Sequence, residues 1–353
     1  MLHKLYSIGL RGHIYNFFKS YLSNRYQIVK INGTFSDKLP IKCGVFQGST
    51  LGPLLFLIFI NDLCDLKLHG KLISFADDTA LLYSSDTLTN LELLINEDLK
   101  KISFWFFDNN LNLNTDKTKY MIFELRQNQN NNLSLVYHDI NCNLSHLRFC
   151  KPIEKVSFIK YLGLYIDSNL KWKSHVNHIS DRLRFITYNF YHLKHKISQK
   201  FLINLYHAWV QPHISYGLTI WGGDYLTNIS RLSKLQKKIL KIIHYGNQSI
   251  ASDLFRTYKI LPVRYFYLYK TSLHLFLNPE ECVKRAIVNP RRPNEIYIIP
   301  RPNKNILCKN FCYLAPKFFN YLPTNLQIIR NKSLFKKCLK NFLFSLEDIE
   351  YFF

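Results

Sequence analysis

The 353-residue chain carries 47 Lys and Arg against 24 Asp and Glu, a net charge of +23, and is 47% hydrophobic and 15% aromatic. That composition excludes a disordered tail, a collagen-like chain and a simple coiled coil. The length suffices for a buried core and two or three domains. The positive balance favours a polyanionic partner, nucleic acid above all, over a plain compositional bias toward Lys.

The eight cysteines, at 43, 64, 142, 150, 282, 308, 312 and 338, are scattered. Cys308 and Cys312 are the one close pair, and no second pair with ligand spacing follows. Buried free thiols in a reducing compartment are therefore expected, not a zinc site. The longest apolar run, Leu54 to Ile60, falls far short of the ~20 residues of a membrane helix. Met1 to Leu5 lacks the apolar run of a signal peptide. No membrane partner is expected, and the location expected is nuclear or cytoplasmic.

Helix is predicted over 7–24, and the alternating stretch 26–32 ends at Asn32-Gly33, a hairpin signal. A glycine-rich loop spans 38–53, and an apolar helix is predicted from Pro53 to about Leu66, with Pro at its first position. Residues 71–84 read as strand, Asp-Asp turn and strand, and 88–108 as helix. A polar tract at 127–132 reads as a surface loop, and a hairpin is expected within 153–168.

Trp172, Val176, Ile179, Leu183, Ile186, Phe190 and Leu193 form one apolar stripe of a long helix. A second amphipathic helix is predicted over 229–244, with Leu232, Leu235, Ile239, Ile242 and Ile243 on its apolar face. Arg231, Lys234, Lys237, Lys238 and Lys241 fall within about a third of its circumference at 100° per residue. That face is either solvated or tracks phosphates. Prolines 290, 293, 300 and 302 mark a loop.

Four segments carry chemistry. Asp77 and Asp78 sit side by side between apolar, strand-like runs. They form either an ordinary hairpin tip or a pair whose repulsion a hard cation such as Mg²⁺ relieves. Cys43 to Leu54 combines three glycines, Gln47, Ser49 and Thr50 just before a helix start, which suits close backbone approach and anions but also fits a plain loop. Lys117, in Leu113-Asn114-Thr115-Asp116-Lys117-Thr118, is either a solvated cation or a proton donor near a triphosphate. Gly163, in Tyr161-Leu162-Gly163, is either a turn glycine or a point of close backbone approach.

Taken in order, these segments resemble the reverse transcriptase of non-LTR retrotransposons of the jockey-like or LINE-like animal type. The resemblance rests on Gly44 to Ser49 with Leu51 to Leu54, on Phe75-Ala76-Asp77-Asp78, on Leu113-Asn114 with Lys117 to Lys119, and on Tyr161-Leu162-Gly163. Trp172, His175, Leu235 to Lys238 and Ala315 to Pro323 extend it. It implies an α+β fold: a partial right-hand palm of antiparallel sheet with helices, a helical thumb and a mostly helical C-terminal extension. It implies a partial palm over 1–125, a palm end with a primer-grip hairpin over 126–170, a thumb over 171–245 and a basic extension over 246–353.

The resemblance implies these roles. Asp77 and Asp78 would bind catalytic Mg²⁺, and Lys117 would donate a proton. Gln47, Gly48 and Ser49 would line the nucleotide and template side. Tyr161, Leu162 and Gly163 would grip the primer. Arg231, Lys234, Lys237, Lys238 and Lys241 would contact nucleic-acid backbone. The partners implied are an RNA template, a DNA primer and deoxynucleoside triphosphates. Phe46 stands where the family usually has Pro. A further metal-binding Asp of the family lies on a strand expected before residue 1, so the Mg²⁺ site is expected to be incomplete and the chain inactive alone. The alternative is a non-catalytic nucleic-acid-binding remnant or recruited protein. A third reading is a decaying reading frame whose product does not fold.

Overall fold

The computed structural model describes residues 1–41, 43–46, 48–123, 132–137, 151–224, 226–245, 251–286, 295–301 and 307–346. Two compact units divide the chain. One comprises Met1–Ile122 with Arg126–Val156, the other Ser157–Phe353 with Phe123–Leu125.

The first unit opens with α1 (Leu2–Ser7) and α2 (Gly12–Leu22). The helix expected over 7–24 is α2, which starts only at Gly12; ahead of it α1 ends at Ser7 and the chain turns where Gly9 (φ +97°) and Gly12 (φ +57°) take left-handed backbone, which costs glycine little. The Lys4 ammonium donates to Phe59 O at 2.6 Å and pairs with Asp62 at 2.8 Å. Strands β1 (Arg25–Gln27), β2 (Lys30–Ile31), β3 (Thr34–Phe35) and β4 (Leu39–Ile41) pair as β1–β4 and β2–β3, both antiparallel. Asn32 (φ +48°) and Gly33 (φ +87°) make the β2–β3 turn, the type I′ geometry that Asn-Gly predicts.

Helix α3 (Leu51–Ile60) runs into a 3₁₀ turn, Asn61–Asp65. It starts two residues before the expected point, so Pro53 is third in the helix, not first. First-turn N–H groups lack intrahelical acceptors, so Pro is tolerated there. Strands β5 (Lys71–Phe75) and β6 (Asp78–Leu82) form an antiparallel hairpin, and α4 (Leu88–Asp108) follows. Short strands β7 (Lys119–Tyr120), β8 (Val136–Tyr137), β9 (Lys151–Pro152) and β10 (Glu154–Lys155) close the unit, with β7–β10 parallel and β8–β9 antiparallel. Residues 127–131 of the expected polar loop lie outside the described residues. Two small cores hold this unit, one of Leu99, Leu133, Leu135 and Ile153, the other of Ile60, Leu63 and Trp105.

The second unit begins with the hairpin β11 (Phe158–Tyr161) and β12 (Leu164–Asp167), inside the span expected for it. Next come α5 (Lys173–Leu193), α6 (Gln199–Leu205), a π-turn at Tyr206–Val210, α7 (Gln211–Ser215), α8 (Leu218–Trp221) and α9 (Leu226–Ile243). The chain continues through α10 (Ala251–Thr257), α11 (Val263–Leu277), the antiparallel pair β13 (Lys284–Ala286) and β14 (Glu295–Tyr297), then α12 (Phe311–Tyr321), α13 (Thr324–Gln327) and α14 (Lys332–Ser345). The fold is mixed helix and small sheets, in the α+β class the sequence predicts.

One core runs through this unit from Leu164 to Leu343. The stripe read for α5 is its backbone: Val176, Ile179, Leu183, Ile186 and Phe190 are buried. On α9, Leu232, Ile239 and Ile243 are buried as read, while Leu235 and Ile242 are half-buried and Gln236 takes a core position. Prolines 290, 293 and 302 lie outside the described residues, and Pro300 is exposed. The described cysteines are free thiols, but burial is not their rule: Cys43, Cys64 and Cys312 are exposed and Cys282 is buried.

His175 is 3% exposed, its ring 5.4 Å from that of Trp221. Its Nδ1 accepts from Tyr165 N at 3.4 Å, and Nε2 has no partner among the described residues. Burial, reinforced by His178, lowers its pKa to about 4. The unfolded chain, with an ordinary histidine near 6.5, binds the extra proton first. The stabilisation is therefore full above about pH 6.5 and is lost as pH falls toward 4. In denaturant unfolding, His175→Phe is expected to flatten this acid loss, roughly 2–3 kcal/mol between pH 7 and pH 4.

Candidate catalytic hairpin and nucleic-acid face

The β5–β6 register pairs Phe75 with Asp78 and leaves Ala76 and Asp77 as a two-residue turn. Ala76 holds φ at +53°, a left-handed backbone that a residue with a Cβ adopts at a cost of about 1–3 kcal/mol. Asp77 is second in this turn and Asp78 opens β6, so the acidic pair caps the hairpin tip. Both are exposed, and among the described residues neither carboxylate has a hydrogen bond or ion pair. Their oxygens are free, and free carboxylate oxygens suit a hard divalent cation. The donor chemistry therefore fits Mg²⁺. Among the described residues no third His, Cys, Asp or Glu side chain joins the pair.

What fixes this hairpin is a residue the sequence reading passed over. Asp98, on α4, is 0% exposed. Its Oδ2 accepts from His69 N at 2.7 Å, Gly70 N at 3.0 Å and Tyr83 Oη at 3.1 Å, and Lys101 Nζ lies 3.1 Å from Oδ1. Gly70 immediately precedes β5 and Tyr83 immediately follows β6. One carboxylate thus ties both ends of the hairpin to α4. A Cβ on Gly70 would lie 2.5 Å from the Tyr83 ring, so only glycine fits beneath it. Burial pushes the Asp98 carboxyl up, but the bonds from Gly70, Lys101, His69 and Tyr83 outweigh it and leave the pKa below the usual value. The same burial and the Asp98 charge push the Tyr83 phenol well up. The available signal was an Asp on the apolar stripe of α4, beside Leu99 and between Ile95 and Ile102.

The glycine-rich loop is internally braced. Ser49 Oγ donates to Phe46 O at 2.8 Å and accepts from Gly52 N at 3.0 Å at the start of α3. Gly44 (φ +81°) and Gly48 (φ +77°) take left-handed backbone, and among the described residues nothing lies within 4 Å of where a Cβ would stand on either. Gln47 lies outside the described residues. The Phe46 ring packs edge-on against Tyr21 at 5.4 Å, with the Arg25 guanidinium 5.5 Å away.

Lys117 ends a turn shaped by Asn114, whose side chain and carbonyl both accept from Lys117 N at 3.2 Å. Its side chain is exposed, and no ion pair joins it to Asp77 or Asp78 among the described residues. In the second unit, Leu162 (φ +46°) and Gly163 (φ +82°) make a type I′ turn between β11 and β12. Tyr216 Oη donates to Leu162 O, and a Cβ on Gly163 would meet the Tyr216 ring at 3.1 Å. Tyr161 Oη is buried without a partner among the described residues. Arg231, Lys234, Lys237, Lys238 and Lys241 are all exposed on α9. No helix is long and apolar enough to cross a membrane among the described residues.

Residues 2–166, which contain the hairpin, the braced loop and the Tyr161–Gly163 turn, match the family of reverse transcriptases (RNA-dependent DNA polymerases). The resemblance of the motifs to the reverse transcriptases of non-LTR retrotransposons is borne out by this match and by the relatives. The chain is 29% identical over 232 residues to a probable RNA-directed DNA polymerase from transposon X-element of Drosophila melanogaster, covering 64% of this chain and 24% of that protein. It is 30% identical over 242 residues to a probable RNA-directed DNA polymerase from transposon BS of the same fly, covering 65% and 25%. The RNA-directed DNA polymerase from mobile element jockey of that fly is 27% identical over 240 residues, covering 65% and 25%. The chain thus spans about a quarter of the length of these relatives.

Removing the Asp98 carboxylate takes the acceptor from His69 N, Gly70 N and Tyr83 Oη and the partner charge from Lys101. Asp98→Ala is expected to destabilise the hairpin by about 2–4 kcal/mol, read as faster amide exchange of β5 and β6. Because the folded pKa is depressed, the Asp98 contribution is full above about pH 4 and falls away below it. The gap between wild type and Asp98→Ala is expected to narrow at pH 3, and an unchanged gap would contradict the assignment.

Proposed function

We propose that this chain is the palm and thumb portion of an RNA-directed DNA polymerase of a non-LTR retrotransposon, with its acidic centre at the β5–β6 tip. The observation that carries this reading is the free Asp77–Asp78 pair on a hairpin locked by Asp98, inside the segment that matches the family. Asp77 and Asp78 would hold divalent metal. Mg²⁺ bound there would activate the primer 3′-OH and neutralise the triphosphate in phosphoryl transfer. Lys117, free at its turn, would protonate the leaving pyrophosphate. The open backbone at Gly48, the braced Ser49 and Gln47 would line the nucleotide and template side. The Tyr161–Leu162–Gly163 turn would grip the primer. Arg231, Lys234, Lys237, Lys238 and Lys241 would contact nucleic-acid phosphates, which positions the strand without reading its sequence. RNA template, DNA primer and deoxynucleoside triphosphates are the partners in this reading.

Two exposed carboxylates make a weak metal site, since Mg²⁺ needs near-octahedral oxygen coordination and a two-metal centre needs more ligands than one tip offers. Catalysis by this chain alone is therefore defective in this proposal. The exposed cations of α9 favour a second outcome, nucleic-acid binding that persists without catalysis.

Primer extension on an RNA template, in Mg²⁺ and then Mn²⁺, tests both parts beside an Asp77→Asn/Asp78→Asn control. The expected result is extension at background in both proteins, with template–primer binding retained and weakened steeply by salt. Extension that vanishes in the control would overturn the defect. Absence of binding at low salt would overturn the polymerase-derived reading.

A further inference from the structure

The surface of the second unit holds a feature that phosphate contacts alone do not explain. From Arg182 to Ile250 and on to Ser252, a single acidic residue occurs, Asp224, and it is 4% exposed. Helix α5, whose second half lies in that stretch, and α9 run parallel. Near their starts, Arg231 Nη1 donates to Asn177 Oδ1 at 2.9 Å, and just past their ends Tyr245 packs edge-on against His195 at 5.1 Å.

Each helix turns a distinct stripe outward, opposite its buried face. On α9, Arg231, Lys234, Lys238, Lys241 and the trailing Tyr245 fall within about 80° of arc at 100° per residue. On α5, Arg184, Tyr188, Tyr191 and His192 fall within a similar arc. Tyr188 is 62% exposed and Tyr191 57% exposed. The carboxylate on this face, Asp181, is neutralised by Arg184 at 2.5 Å. Lys194 Nζ lies 4.4 Å from the Tyr191 ring centre, and Tyr188 meets His192 edge-on at 4.3 Å.

A cationic rail thus lies beside an aromatic one. Lysines alone suit any nucleic acid. Exposed tyrosines beside them gain little from a duplex, whose base faces are already stacked. They gain from unpaired bases, because every base has a free π-face to stack on a ring. We propose that the α5–α9 surface binds an unpaired nucleic-acid strand, with α9 taking the phosphates and Tyr188 and Tyr191 stacking the bases. From Arg231 to Lys241 the rail runs about 15 Å, the span of about four stacked phosphates. The inference rests on the phosphate-binding role proposed above for the α9 cations and adds the form of nucleic acid they serve.

Fluorescence anisotropy with the full chain tests it, using a labelled oligo-dT strand, a duplex of equal length and an abasic strand. Tyr188→Ala/Tyr191→Ala is expected to weaken oligo-dT binding about ten-fold or more and to leave the duplex and the abasic strand unchanged. Lys234→Gln/Lys238→Gln/Lys241→Gln is expected to weaken all three and to lower the salt slope on oligo-dT by about two. If the lysine variant weakens binding while the tyrosine variant changes nothing, or weakens all three probes alike, the single-strand inference falls and the α9 phosphate role stands. If the lysine variant leaves all three probes unchanged, the phosphate role falls and this inference with it, and the face is one for a protein partner. Both sets of side chains are exposed, so thermal melting of each variant should match wild type.

Discussion

One buried carboxylate sets the geometry of the acidic hairpin. Asp98 sits at 0% exposure and accepts from the residue before β5 and the residue after β6 at once. A two-stranded hairpin alone is marginal in water. Here its ends are clamped to α4, so the strained turn at Ala76 and the repelling Asp77–Asp78 pair are held in place by the surroundings. Lys101, 3.1 Å from Oδ1, balances the charge, and three further donors converge on Oδ2. A carboxylate so paired stays ionised, whereas the same group with one partner removed would be a costly buried charge.

The two units are held together internally by different means. The first has two small cores, and apolar side chains such as Ile31, Phe35 and Phe75 are more than 60% exposed on it. Its order comes from polar devices: the Asp98 clamp, the Lys4–Asp62 pair, and the Ser49 bracket between loop and helix. The second unit has one continuous helical core, and residues 171–245 and 246–353 both contribute to it. Its β11–β12 hairpin is secured from outside by Tyr216 and from beneath by His175, while α5 and α9 keep their polar faces outward.

Much of this was legible in the sequence where a local rule decides. Asn32-Gly33 specifies a type I′ turn, the Val176 to Phe190 stripe specifies a buried helix face, and Asp77-Asp78 between apolar runs specifies a hairpin tip. The motifs also carried the family, because they combine residue type with order along the chain. What was not legible depends on partners distant in sequence. The role of Asp98 requires knowing that residues 69, 70 and 83 converge on it. The late start of α2 at Gly12 needs the backbone angles of Gly9 and Gly12, which residue type alone does not dictate. The cations of α9 were readable as a stripe, but that Tyr188 and Tyr191 stand beside them depends on α5 and α9 lying parallel.

The central claim is that the β5–β6 tip is where this chain meets metal. Titration of Mn²⁺ into the isotopically labelled chain, read as paramagnetic broadening of backbone amides, tests it most directly. The account predicts broadening centred on Ala76 to Thr79 at millimolar Mn²⁺ and its loss in Asp77→Asn/Asp78→Asn. Broadening centred anywhere else, or unchanged in that variant, would contradict it.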